Sequence, residues 1–392
     1  MKDKATDATV SLDATAFAKM KRILPTYLAA QRDVDAFAVQ DVPEEIAFKL
    51  TNQCNLRCAH CYQWNEDGHH HDLDPSEQRQ HLPFSVIERA FEATSAKKSN
   101  VYLWGGEPLM YRHWNELAEL LARDPRWTSV CTNGLFIEKR LESLLRISDQ
   151  LELFIAVDGL EKQHDALRGA GVFARIQQGI DQLLELRRAG RYRGEVTVNC
   201  VITDDLVPHV REVVEFWEAV GVDTVYLSLL WFLSDATSAA MDHYVEQNQP
   251  FIPDLKSPGR PSWHAYKYRM SAERIGSLRE QLEEIERQPW KIKVRYNPAI
   301  ETEDFQEFIS GGQKPAAGKT RCLSIRSRMD VLPNGDVVSC KFFPESVMGN
   351  LIEDGVAAVW HGARFGQVRE TIDRCGLMPV CSKCSLLYSR GV

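Results

Sequence analysis

From residue 45 to residue 230 the chain repeats one pattern: a short apolar strand, a turn, then an amphipathic helix. The spacing predicts strands at 46–50, 100–104, 127–131, 151–157, 195–202 and 223–230. Helical patterns fall between them at about 84–97, 113–123, 137–147, 172–190 and 206–220. In the fourth, Phe173, Ile176, Ile180, Leu183 and Leu184 recur at helical spacing. Strands joined through helices run parallel with right-handed crossovers. The expected class is therefore α/β, either an open (β/α)6 barrel of TIM type or a doubly wound sheet. In both, ligands collect at the C-terminal ends of the strands.

What flanks this core is different. The first twelve residues are polar and lack a signal-peptide core, 14–31 reads as an amphipathic helix, and 32–44 as a linker. Residues 231–297 carry Pro250, Pro253, Pro258 and Pro261 and then a charged helix at about 271–287, which reads as a bridge over the barrel mouth. A second domain is expected at 298–392, where cysteine, glycine and turn residues dominate. A net charge of −8 argues against a general nucleic-acid binder. The longest apolar run, Val225 to Leu233, is too short to span a bilayer. The expected location is the cytoplasm, where ten cysteines point to metal or catalytic use before disulfides.

Eight of those ten fall in two groups. Cys54, Cys58 and Cys61 form C-x3-C-x2-C on the loop leaving the first strand, followed by Tyr62. Thiolates hold iron–sulfur clusters, and three of them on one loop leave a [4Fe–4S] cube one iron without a protein ligand. Short C-x-x-C pieces also read as zinc sites. The spacing resembles the signature of the radical S-adenosylmethionine (SAM) superfamily, in which the open iron binds the amino and carboxylate groups of SAM.

The turns after the next strands extend the resemblance. Gly105-Gly106-Glu107-Pro108 resembles the family's GGEP motif, whose backbone and glutamate bind the SAM amino group. Asn133, in Thr132-Asn133-Gly134, resembles the turn common after the third strand. Asp158 and Arg168 match an Asp-Gly followed by an Arg-Gly; by resemblance Asp158 lies near SAM and Arg168 pairs with its carboxylate, a task suited to a planar guanidinium. A turn aspartate and a surface ion pair are the plain alternatives. Asn199 on the fifth strand and Ser228 on the sixth either face the ligand or satisfy polar groups in the core. Cys131 reads as a small buried residue, and His69-His70-His71 as a solvated loop.

The second group is Cys322, Cys340, Cys381 and Cys384, with Cys375 as a spare. Residues 329–338 read as a β-hairpin turning at Asn334-Gly335, which would bring Cys322 near Cys340. With Met348-Gly349-Asn350-Leu351 and Val359-Trp360-His361-Gly362, the segment resembles the SPASM or twitch extension, which carries an auxiliary [4Fe–4S] cluster. It has too few cysteines for the seven-cysteine pattern, so one auxiliary cluster is expected. A four-cysteine zinc site is the alternative.

The resemblance implies reductive cleavage of SAM to a 5′-deoxyadenosyl radical that abstracts a substrate hydrogen atom. It also implies an electron donor such as flavodoxin or ferredoxin. The substrate would be a peptide or a small molecule such as a sugar, cyclitol or tetrapyrrole. The other class of reading is a non-catalytic iron–sulfur carrier or a zinc-stabilised binding module. No residue is marked as substrate acid or base.

Overall fold

Strand β1 (Glu45–Lys49) has almost no exposed side chain and a parallel neighbour on each side. A computed structural model describes residues 39–248, 260–298, 305–311 and 319–390. The expected N-terminal helix at 14–31 lies outside them, as do the bridge prolines Pro250, Pro253 and Pro258. β1 pairs with β2 (Asn100–Trp104), and β3 (Thr128–Thr132), β4 (Leu151–Ala156), β5 (Glu195–Val201) and β6 (Thr224–Ser228) follow in chain order, all parallel. Both faces of these strands are largely buried, and Val, Ile and Leu alternate there with other residues.

The crossover helices are α1 (Phe84–Ala93), α2 (Trp114–Arg123), α3 (Ile137–Arg146), α4 (Glu161–Arg168), α5 (Val172–Arg188) and α6 (Val210–Val220). α5 buries Phe173, Ile176, Ile180, Leu183 and Leu184. Each such side chain contributes roughly 1.5–3 kcal/mol by leaving water. α4 was not anticipated, because of its eight residues only His164 is buried and no apolar stripe marks it.

The sheet continues past both ends of the six-strand core. β7 (Lys293–Asn297) adds parallel to β6. Its Lys293 and Arg295 point outward, the usual protection of an edge strand, and that charge hid it within the expected bridge. The same bridge contains helices α7 (Asp235–Gln247) and α8 (Ile275–Glu286). On the other side, β8 (Arg328–Val331) pairs parallel with β1, and β9 (Asp336–Val338) and β10 (Val347–Asn350) follow antiparallel. The hairpin turns at Gly335, whose φ of 84° is easy only for glycine.

The full order is β10-β9-β8-β1-β2-β3-β4-β5-β6-β7, an open sheet and hence a partial barrel. The C-terminal hairpin is thus part of the barrel sheet, and it satisfies the free edge that β1 would otherwise present. No described helix is long and apolar enough to cross a membrane.

Candidate functional site

The three-cysteine loop leaves β1 and folds back against the end of β2. Gly106 N–H donates to Thr51 O at 2.9 Å, and Glu107 N–H to Gln53 O at 2.7 Å. A Cβ on Gly106 would sit 2.1 Å from Gln53 O, and one on Gly105 2.5 Å from Thr51 O. These glycines therefore let the strand end lie directly on the cysteine loop, and both also line the cavity beyond it. Within the loop, Cys61 N–H donates to Cys58 O, and Cys61 O accepts from Trp64 and Asn65.

Cys54, Cys58 and Cys61 open into a cavity of about 350 Å³ in the barrel lumen. N–H donors reach two of the sulfurs. Leu56 N–H lies 3.4 Å and Asn133 Nδ2 3.9 Å from Cys54 Sγ, and Arg168 Nη1 lies 3.6 Å from Cys58 Sγ. Burial pushes Cys54 up to about 12 and Cys58 up to about 11. Thiols so placed become thiolates when a metal supplies the positive charge, so the donor set fits an iron–sulfur cluster.

Glu107 and Asp158 do not line this cavity; they hold residues that do. Glu107 is fully buried, and its carboxylate accepts from Leu109 N–H, Thr132 Oγ1 and Asn133 N–H at 2.9, 2.7 and 2.7 Å. It thereby fixes the turn that carries Asn133 toward Cys54. Pro108 starts the buried turn beneath it. Asp158, also fully buried, accepts from Arg168 Nε at 2.6 Å and Val201 N–H at 3.1 Å, with His60 Nε2 at 3.3 Å. Burial would raise its carboxyl, but Arg168 and His60 hold it down at about 2. Arg168 is thus aimed by one carboxylate at the cysteine loop.

The far wall is polar and neutral. Ser228 Oγ donates to Asn199 Oδ1 at 2.6 Å, and Asn297 Nδ2 to Ser228 Oγ at 3.3 Å. Asn297 comes from the edge strand β7, so nothing in its local sequence marked it. Tyr62 stacks on Tyr266 with ring centroids 4.6 Å apart and on His69 at 5.6 Å. The run His69–His71 is a short 3-10 turn and not a solvated loop. His70 is buried there, with the buried Lys49 Nζ 2.9 Å from its Nε2, while His71 stays exposed. Lys341, next to Cys340, also lines the lumen; burial and then Arg328 lower its affinity for its proton.

The second cysteine group assembles at the C-terminal side of the same unit. Cys381 feels the charges of Cys384, Cys322 and Cys340, and burial with this mutual repulsion raises it well above its ordinary value. Cys384 is pushed up to about 12. Cys340, Cys381 and Cys384 line a small apolar cavity of about 20 Å³ with Trp231, Tyr266, Phe342 and Phe343. Lys383, between Cys381 and Cys384, is buried beside them with its ammonium donating to Glu307 O at 3.0 Å. A buried, mutually repelling thiol set of this kind also fits a metal cluster. Cys375 stands apart, exposed at the end of helix α9 (Ala363–Cys375), its thiol 3.4 Å from Asn248 Oδ1. Among the described residues no three His, Cys, Asp or Glu side chains gather around one metal ion.

Two family models match the chain: the radical SAM superfamily over residues 48–190 and the SPASM iron–sulfur cluster-binding domain over residues 322–385. The mycofactocin maturase MftC of Mycolicibacterium smegmatis is 25% identical over 337 residues, 84% of this chain and 73% of that protein. MftC of Mycobacterium ulcerans is 29% identical over 144 residues, 36% of this chain and 37% of that protein, so this match spans little more than a third of the relative. Among solved structures, Streptococcus suis SuiB bound to its precursor peptide SuiA aligns with a TM-score of 0.57 at 16% identity. That alignment covers 98% of this chain and 79% of SuiB, and shows a shared fold. The chain belongs to the radical SAM superfamily and carries a SPASM domain.

Proposed function

We propose that this chain modifies a peptide by radical SAM chemistry, with residues 45–230 as the SAM-binding barrel, 231–297 as a bridge and 298–392 as the auxiliary-cluster domain. Cys54, Cys58 and Cys61 would hold a [4Fe–4S] cluster, and Cys322, Cys340, Cys381 and Cys384 a second one. When bound, the first cluster and SAM supply one-electron cleavage that leaves a 5′-deoxyadenosyl radical able to abstract a substrate hydrogen atom. The remaining work belongs to the chain's own residues. Arg168, anchored by Asp158, presents a guanidinium to the SAM carboxylate. Gly105, Gly106 and Asn133 shape the wall beside it, with Glu107 and Pro108 holding them. Tyr62 closes the loop side, and Asn199 and Ser228 supply polar contacts opposite. The stacked rings of Tyr62 and Tyr266 on the cavity wall would help to exclude water, which quenches reactive species. A reduced flavodoxin or ferredoxin is the proposed electron donor.

One observation carries this reading: the three-thiol loop, Arg168 and the Asn199–Ser228 pair line one lumen that extends to Lys341, beside the second thiol group. The named maturases among the relatives favour a peptide substrate. The test is anaerobic reconstitution with iron and sulfide analysis. About eight irons are expected in the wild type, about four when Cys54, Cys58 and Cys61 are all Ala, and an unchanged count in Cys375→Ser. SAM and dithionite should give 5′-deoxyadenosine in the wild type and none in the triple variant. Zinc in place of iron, or no cleavage by a fully loaded protein, rejects the proposal.

A further inference from the structure

Lys341 is the cation in the lumen that the machinery above does not use. It lines the same cavity as Cys54, Cys58, Cys61 and Arg168. Its Nζ lies 4.8 Å from the centre of the Phe342 ring and 5.6 Å from that of Tyr102. Among the described residues this ammonium has no hydrogen-bond or ion-pair partner. The nearby carboxylate of Asp330 is taken: Arg328 Nε and Nη2 donate to it at 3.0 and 2.9 Å. The other cations along the wall are also committed. Arg168 is paired with Asp158, and Lys267 with Asp235 at 2.6 Å.

An ammonium half-removed from water against aromatic faces is costly unless an anion joins it. Cation–π contact offsets only part of that cost. From this we infer that Lys341 is the anchor for a carboxylate of the substrate, which sets that group at the SPASM end of the lumen, away from Arg168. This rests on the peptide-modifying reading and narrows it to peptides that bring a carboxylate into the barrel. The carboxylate comes either from the peptide C-terminus or from an acidic side chain.

The test uses the reconstituted protein with saturating SAM, so that the Arg168 end is filled. Three probes are titrated by calorimetry: acetyl-trialanine acid, acetyl-trialanine amide, and the same amide with glutamate in the middle. Wild type should bind at least one carboxylate probe about tenfold more tightly than the neutral amide, the usual scale of a hydrogen bond to a charged group. The acid and the glutamate amide distinguish a C-terminal from a side-chain carboxylate. Lys341→Met should abolish the preference, and Lys341→Arg should restore it, which separates loss of charge from loss of fold. Equal binding of acid and amide by the wild type, or no binding of any probe, overturns the inference. So does a Lys341→Met protein that keeps the preference while the reduction potential of the second cluster moves, because the charge then serves that cluster. SAM cleavage by the wild type, measured separately, tests the parent reading, so the two can fail independently.

Discussion

The Asp158–Arg168 pair offers the sharpest test of how the site is held. Asp158 is fully buried and the Arg168 side chain is 8% exposed, so solvent screens the 2.6 Å contact little. The carboxyl sits at about 2, below its ordinary 3.8. A depressed carboxyl contributes stability that is fully present above the unfolded value and lost as pH falls toward the folded one, so at neutral pH the whole term counts. The difference of roughly two units corresponds to about 2.5 kcal/mol. Removing one partner of a buried pair costs about 3–5 kcal/mol, because the other charge is left uncompensated. Asp158→Asn can keep an acceptor for Val201 N–H, but it removes the charge and turns an NH2 toward the Arg168 Nε–H donor. Asp158→Asn and Arg168→Gln should each lose about 3 kcal/mol, and the double variant little more than either, a coupling of about 3 kcal/mol. Urea unfolding of the anaerobically reconstituted proteins, followed by far-UV circular dichroism at neutral pH, measures all four corners. Additive losses, with the double variant near the sum of the singles, would refute the claim that Asp158 exists to hold Arg168.

Two further perturbations read other parts of the same site. Gly106→Ala places a Cβ 2.1 Å from the backbone oxygen of Gln53 and should displace the cysteine loop, so iron bound at the first site falls; Gly276→Ala, on α8 with open space around it, should stabilise the protein by about 0.5–1 kcal/mol and leave iron content unchanged. Burial raises the Glu107 carboxyl to about 7, so its stabilising contribution is complete below about 4.5, is lost as pH rises through 7, and amounts to roughly 3 kcal/mol. Thermal melts across that interval should show a decline in the wild type that flattens in Glu107→Gln.

The residues that announced themselves are those whose chemistry is local. A C-x3-C-x2-C loop after a strand, a Gly-Gly-Glu-Pro turn and an apolar stripe such as that of α5 can each be read within twenty residues. The residues that stayed hidden depend on partners far along the chain. β7 reads as charged bridge because an edge strand turns Lys293 and Arg295 to water, and only its pairing with β6 brings Asn297 to Ser228. Glu107 reads as a ligand in the turn motif, yet all three of its short contacts are to Leu109, Thr132 and Asn133. Its role as a brace depends on where β3 ends, which residues 105–108 do not encode.

The same reasoning explains why the C-terminal segment reads as a separate hairpin domain. Nothing near residue 328 says that its strand will lie beside residue 45, yet that register puts Met329 opposite Ile46 and Asp330 opposite Ala47. Arg328 then meets Glu45 and stacks over Tyr102 at 5.0 Å, locking the hairpin to the barrel wall. Once β8 is seated there, the chain that leaves β9 must pass the open lumen, and it does so with Cys340 and Lys341 in consecutive positions. One faces the second thiol group and the other the cavity of the first. A hairpin that paired elsewhere could still gather four cysteines; only pairing with β1 puts a cation from that domain into the lumen beside Tyr102.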